Sequence, residues 1–141
     1  MIASALLFAA AAAATAPLPR PLSDAQMRDI GCIATLAIIA DEQRSGTDAA
    51  LRFPSVMQRG RTYAGLVGTL IVEQSGQPRE VIALAIRQSA QDQRAMLAAK
   101  AAATRGNDGS MAQTNMAGLN DLAAPCFMQL DAIVPDDEPA D

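Results

Sequence analysis

The sequence predicts an all-α protein: a small helical bundle of about four helices, tied by a disulfide, that follows a cleaved signal peptide. The chain of 141 residues has the length of one domain. Half of its residues are hydrophobic but only 3% are aromatic, so the core is aliphatic and rich in residues that favour helices. No window shows the sustained alternation of apolar and polar residues that indicates a strand.

Residues 1–14 are predicted to be a secretory signal peptide. The segment "MIASALLFAAAAAATA" has no charged side chain and is shorter than the roughly 20 residues that a membrane-spanning helix needs. Its small residues suit signal cleavage, and Pro17 favours cleavage after Ala14 over cleavage after Ala16. A retained N-terminal anchor is the alternative. A Pro-rich lead-in at 15–22 then precedes a single helical domain at 23–134.

The first helix is predicted to run from Ser23 to about Arg44. Ser23 and Gln26 have the spacing of a capping box, and Ser45 with Gly46 provides a left-handed stop. The middle of this segment, "IGCIATLAIIA", has apolar side chains on all sides. A helix that is apolar all round is buried all round, which predicts that this is the central helix of the bundle.

A connector that has room for one helical turn leads to a second predicted helix, from about Val56 to Gln74. Ser55 and Gln58 repeat the capping-box spacing, and Gly76 provides the stop.

Gly60, Ala64 and Gly68 lie four residues apart along one edge of this second helix and form a ridge of small side chains. Such a ridge lets another helix approach closely. Close packing against the first helix is the preferred interpretation, and a contact surface for another protein is the alternative.

The third helix is predicted from Pro78 to about Thr104, since proline suits the first turn of a helix. Its predicted apolar stripe consists of Val81, Ile82, Ala85, Ile86, Ser89, Met96 and Leu97. The predicted water-facing side chains are Arg87, Gln91 and Arg94.

The last part of the domain is predicted as a loop at 105–110 followed by two short helices. Gly118 and Asn120 are expected to interrupt the first of them, and Pro125 to begin the second, which ends before Pro135.

Residues 135–141, "PDDEPAD", are predicted to be a disordered acidic tail. They hold four of the 15 acidic side chains, so the rest of the chain has 11 acidic and 11 basic side chains. A neutral body without interleaved basic and aromatic residues argues against nucleic-acid binding.

Cys32 and Cys126 are the only cysteines. A disulfide between them is the preferred prediction, because a pair of cysteines in an exported protein is most simply a structural bridge. Two buried thiols or a reactive pair are the alternatives. The wide spacing does not resemble C-x-x-C, and the chain has no histidine, so no metal site and no cofactor are predicted.

A polar cluster at one end of the bundle is the candidate binding site. Asp41 and Glu42 end the first helix, and Arg59, Arg61 and Tyr63 lie near the start of the second. If these two helices are antiparallel neighbours, the cluster could bind an anion or a polar peptide group. Solvated helix ends with weak ion pairs are the alternative.

Glu73, late in the second helix, is a further candidate polar residue.

These observations predict an exported protein, periplasmic or secreted, with a non-enzymatic interaction or structural role and a protein as its partner. Without histidine the usual triads and the usual proton shuttle are excluded. A small-ligand or inhibitor-type binding protein that uses the Arg/Tyr cluster is the alternative, and a hydrolase with carboxylate chemistry comes third. No membrane span is predicted in the mature chain, and the sequence does not indicate an oligomeric state.

Overall fold

Five helices make up the protein in a computed structural model that describes residues 18–104 and 111–136. They are α1 (Asp24–Arg44), α2 (Asp48–Leu51), α3 (Met57–Ser75), α4 (Arg79–Thr104) and α5 (Met111–Ile133). No strand occurs in these residues, so the all-α prediction is confirmed. The predicted signal peptide, the loop at 105–110 and residues 137–141 of the acidic tail lie outside the described residues.

α1 is the central helix, as its sequence predicts. The capping box is present: the Ser23 N–H donates to Gln26 Oε1 at 2.9 Å, and the Gln26 N–H donates to Ser23 Oγ at 3.2 Å. The helix stops before Gly46, whose φ of 75° favours glycine. α1 packs against each of the other four helices. Its buried side chains are Ile30, Cys32, Ile33, Ala34, Thr35, Leu36, Ile38 and Ile39.

The connector between α1 and α3 contains the single helical turn α2, but the capping box predicted at Ser55 and Gln58 is wrong. Val56 is the N-cap of α3 and has no side-chain cap. Its N–H instead donates to Oε1 of Gln43, from the end of α1, at 3.2 Å. The Gln43 amide nitrogen also lies within hydrogen-bonding distance of the carbonyl oxygens of Ala50, Phe53 and Pro54. One side chain from α1 therefore organises the whole connector.

The turn between α3 and α4 holds the lead-in segment in place. Gly76 ends α3 with φ of 68°, and its N–H donates to the Val72 carbonyl at 2.9 Å. The Arg20 N–H donates to the Ser75 carbonyl at 2.8 Å, and Gln77 Nε2 donates to the Arg20 carbonyl at 2.8 Å. These bonds fasten the segment that precedes α1 to the C-terminal end of α3.

α5 is one continuous helix, so the break predicted at Gly118, Asn120 and Pro125 is wrong. A Cβ on Gly118 would lie 3.1 Å from Leu97 Cδ2, which shows that this glycine lets α5 pack closely on α4 rather than ending the helix. Pro125 is inside the helix and exposed. A proline there costs about 3 kcal/mol, and tertiary packing on both sides of it has to offset that cost.

The predicted disulfide between Cys32 and Cys126 is formed and joins α1 to α5. Both cysteines are buried in the core. The rings of Phe53 and Phe127 stack nearby with their centroids 5.6 Å apart. None of the described helices is both long and apolar enough to cross a membrane.

Candidate functional site

The acidic end of α1 pairs with α4, and not with the arginines of α3. Arg94 Nη2 lies 2.9 Å from Asp41 Oδ2, and Arg94 Nη1 lies 3.4 Å from Glu42 Oε1. The Thr47 hydroxyl donates to Glu42 Oε2 at 2.7 Å, and Arg44 lies 3.4 Å from Asp41. These groups are all at least one-third exposed, so each ion pair contributes at most about 1 kcal/mol.

Arg59 is used inside the protein to hold the end of α5. Its Nε and Nη2 donate to the Val134 carbonyl oxygen at 2.9 and 2.6 Å. The same guanidinium pairs with Asp131 at 2.6 Å and with Asp136. Its side chain is only 14% exposed. A cation at a helix C-terminus satisfies carbonyls that the helix leaves unpaired, so Arg59 fastens α5 to α3.

Tyr63 is completely buried, and its hydroxyl donates to Gln129 Oε1 on α5 at 2.6 Å. Burial, with a smaller contribution from the Asp29 carboxylate, raises the pKa of Tyr63 to about 12. Burial also raises the pKa of Asp29, against the opposing effect of Arg28. The tyrosine therefore stays protonated at neutral pH and makes a structural hydrogen bond.

Arg61 and Glu73 are exposed and lie apart from this internal network. Arg61 lines a groove of about 210 Å³ between α1 and α3, together with Arg44 and Met57. The five polar residues of the predicted cluster, and Glu73, thus lie in several separate places. Ligand binding by Arg59, Arg61 and Tyr63 together stays a prediction, and it would require Arg59 to release Val134.

The ridge of Gly60, Ala64 and Gly68 is divided between two environments. A Cβ on Gly60 would lie 3.6 Å from Leu36 Cβ of α1, so this end packs against the central helix. A Cβ on Gly68, or on the neighbouring Gly65, would meet no atom within 4 Å. The ridge is therefore not wholly covered by the described part of the chain.

The largest departure from the predicted pattern is an exposed apolar surface on α4 and the start of α1. The predicted stripe places Val81 and Met96 in the core, but they are 43% and 38% exposed, and only Ile82 of α4's large side chains is fully buried. Leu84 is 57% exposed and Met27, on α1, is 49% exposed. Four large apolar side chains thus face outward on neighbouring helices. We call these four residues the α4 surface.

A groove of about 400 Å³ lies between α1 and α4, and two residues of the α4 surface, Met27 and Met96, line it. We call it the methionine groove, and it is lined by Met27, Ala85, Gln88, Ser89, Asp92, Gln93 and Met96. Met27 forms its α1 wall, and Met96 lies on its α4 wall one turn after Asp92.

Beneath this groove, α1 and α4 are joined by a polar contact that the sequence does not reveal. Gln93 Nε2 donates to the Gly31 carbonyl at 2.9 Å. The Thr35 hydroxyl lies 2.9 Å from Gln93 Oε1 and 2.9 Å from the same Gly31 carbonyl. Since Thr35 is buried, these bonds satisfy polar groups that would otherwise be costly to desolvate. They also fix the position of α4 on α1.

A second cavity, of about 380 Å³, lies at the end of α1 where Glu42 and Arg94 meet. Apart from these two residues and Thr47 its walls are apolar, formed by Ile38, Ala49, Ala50, Leu97, Ala98, Ala101 and Leu119. An apolar cavity with a few polar groups on one side is the usual form of a small-molecule site.

The described residues hold no group of three or more histidine, cysteine, aspartate or glutamate side chains that could bind a metal ion. No protein-family model, curated protein or solved structure matches the chain.

Proposed function

We propose that the protein is an exported, non-enzymatic interaction protein that binds a protein partner through the α4 surface. The observation that carries this proposal is the exposure of Met27, Val81, Leu84 and Met96 on two neighbouring helices, where Met27 and Met96 line one groove. Grouped apolar side chains on a protein surface are typical of interaction sites. Methionine is adaptable enough to pack against partners of different shapes.

Export is supported by two observations that are independent of this surface. The predicted signal peptide occupies residues 1–14, and the disulfide between Cys32 and Cys126 is of a kind that persists in oxidising compartments. We propose a periplasmic or secreted location. The intact mass of the protein recovered from cells tests both parts, since export predicts loss of the signal peptide and a mass about 2 Da below that of the dithiol. A full-length, reduced chain would overturn the proposed location.

A non-enzymatic role is supported by how the polar side chains are used. Two of the candidate site residues, Arg59 and Tyr63, are committed to hydrogen bonds that hold helices together. The pKa of Tyr63, raised to about 12, keeps its proton in place at neutral pH.

A photo-crosslinking amino acid at position 84 tests the contact surface. Position 66 is the matched control, because Leu66 is 54% exposed on α3 while Leu84 is 57% exposed on α4. We expect one partner to be captured from position 84 and not from position 66. Leu84→Lys should abolish its capture by a crosslinker at position 81, whereas Leu66→Lys should not. Equal capture from both positions would refute the α4 surface as the contact.

Small-ligand binding is a second candidate function, and the cavity beside Glu42 and Arg94 favours it. Its volume of about 380 Å³ is within the range of small-molecule sites. Ala98→Leu would place a large side chain on its wall. We expect this variant to lose any small molecule that the wild-type protein retains through purification, as seen by mass spectrometry of the extracted protein. Retention of the same molecule by the variant would exclude this cavity as the site.

A further inference from the structure

The groove of about 210 Å³ between α1 and α3 combines an apolar floor with two arginines. We call it the arginine groove. Leu36, Ala37 and Met57 belong to its floor. Among the described residues that line it, Arg44 and Arg61 are the only charged ones, and no carboxylate offsets them. Charge complementarity therefore favours an anion as the ligand of this groove.

α1 and α3 run antiparallel along the groove. The Val56 N–H at the start of α3 donates to Gln43 at the end of α1, whereas a Cβ on Gly60 would lie 3.6 Å from Leu36 Cβ. Residue numbers thus rise along α3 as they fall along α1. Position 57 of α3 therefore lies about level with position 40 of α1, in the middle of the groove.

The two arginines lean toward this level from opposite ends, because helix side chains point toward the N-terminus of their own helix. Arg44 follows this rule: its Nη1 lies 3.4 Å from Asp41 Oδ1, three residues back along α1. The same rule turns Arg61 toward Met57. An anion beside Ala40 and Met57 is thus within reach of both guanidinium groups.

Neither arginine is committed to the interior of the protein. The Arg44 side chain is 64% exposed, and Asp41 keeps a closer partner, Arg94 Nη2 at 2.9 Å, when Arg44 turns away. Arg61 is exposed and makes no hydrogen bond or ion pair with the described part of the chain. Binding an anion therefore breaks at most one weak surface ion pair.

The floor of the groove limits the apolar part of the ligand. A buried cavity of about 150 Å³ holds benzene, so in the same proportion this groove of about 210 Å³ holds a chain of about eight carbon atoms. A guanidinium binds a carboxylate through two parallel hydrogen bonds. These are the features of a site for a molecule with a carboxylate at one end and a short alkyl chain.

We propose that the arginine groove binds a medium-chain carboxylic acid as its anion. The carboxylate lies between Arg44 and Arg61, and the alkyl chain runs along the floor past Ala37 and Leu36. This site is separate from the α4 surface, so the inference goes beyond the proposed partner binding and does not depend on it.

Octanoate is the probe, and octanol, which has a chain of the same length without the charge, is its control. The full oxidised protein is titrated with each, and the methyl resonances of ¹³C-labelled methionine report where the ligand binds. We expect octanoate to shift the Met57 signal to saturation and to leave the signals of Met27 and Met96, which line the methionine groove, unchanged. Octanol should bind at least about tenfold more weakly, because it forms no charge-assisted hydrogen bonds.

Two pairs of variants test the two parts of the site. Arg44→Gln and Arg61→Gln should each weaken octanoate binding about fivefold and leave octanol binding unchanged. Arg87→Gln, at an exposed arginine of α4 that lines none of the grooves described above, should bind as the wild type does. Ala37→Leu places a larger side chain on the floor and should weaken both ligands, whereas Ala95→Leu, at an exposed alanine outside the groove, should weaken neither.

Wild-type affinity for octanoate in the double variant of Arg44→Gln with Arg61→Gln would overturn the proposal. So would equal affinities for octanoate and octanol, or parallel shifts of all methionine signals, since either result would mean that the chain adsorbs on any apolar surface.

Two further variants separate this site from the proposed functions. Leu84→Lys should lose the protein partner and keep octanoate binding. Ala98→Leu should also keep it, because position 98 lines the cavity beside Glu42 and Arg94 and not the arginine groove. Loss of octanoate binding in Ala98→Leu would assign the ligand to that cavity and refute the assignment to the arginine groove.

Discussion

Gly65 and Gly68 allow a test of whether the outer edge of α3 is free in the folded protein. A Cβ at either position would meet no atom within 4 Å, and neither glycine has a positive φ. Glycine in a helix interior is less favourable than alanine by about 0.8–1 kcal/mol. Gly65→Ala with Gly68→Ala should therefore raise the free energy of unfolding by about 2 kcal/mol. For a domain of this size that corresponds to an increase in Tm of roughly 8 °C.

Thermal unfolding followed by circular dichroism measures the change, with two other glycines as comparisons. Gly76→Ala should lower Tm, because the φ of 68° disfavours any side chain. Gly118→Ala should gain less than Gly65→Ala, because its Cβ would lie 3.1 Å from Leu97 Cδ2. A lower Tm in the double alanine variant would refute the reasoning, since it would mean that another segment already packs on these glycines.

Three further predictions concern the contacts that hold the helices together. Replacing Cys32 and Cys126 by alanine should lower the free energy of unfolding in urea by up to about 4.7 kcal/mol, the chain-entropy value for a loop near 100 residues, and an unchanged urea midpoint would contradict this. Arg59→Gln should lose about 1.5–3 kcal/mol with its charged hydrogen bonds to the Val134 carbonyl, whereas the exposed Arg61→Gln should change the midpoint little. Tyr63 is the only tyrosine in a chain without tryptophan, so tyrosinate absorbance should titrate near pH 12 in the folded protein and near 10 in urea. Because the folded state holds the proton longer, stability should fall as the pH rises from about 10 to 12, a dependence that Tyr63→Phe removes.

The helix boundaries that local sequence determines were predictable. The capping box at Ser23 and the left-handed glycines at positions 46 and 76 act within one turn of the chain, so their residue types are sufficient evidence. The disulfide was predicted from the presence of two cysteines and from the predicted export of the chain. The contacts of the predicted binding site could not be predicted from local sequence. The partners of Asp41 and Arg59 depend on the angles at which the helices cross.

The wrong predictions share one physical cause, which is that a partner distant in sequence replaces a local one. Gln43 caps α3 in place of Ser55, although 13 residues separate it from the Val56 N–H. Gly118 serves close packing on Leu97 and does not end its helix. In both cases local helix propensity favours the predicted structure. Tertiary contacts outweigh that propensity, and their free energy cannot be read from a single segment of the sequence.

The same cause explains why the α4 surface exists. An amphipathic helix normally turns its apolar stripe onto the core, but α4 is fixed on α1 by Gln93 and Thr35, a polar contact that sets its rotation. With Gln93 facing inward, Met96 and Val81 remain partly exposed. The hydrogen bonds that satisfy the buried Thr35 hydroxyl thus leave Met96 and Val81 exposed to water. The isolated chain therefore lacks the stabilisation that burial of these side chains would give. Gln93→Leu would remove the hydrogen-bonding partner of Thr35 and release that constraint on rotation, so we expect it to weaken partner capture at position 84. Unchanged capture would show that the rotation of α4 does not depend on this contact.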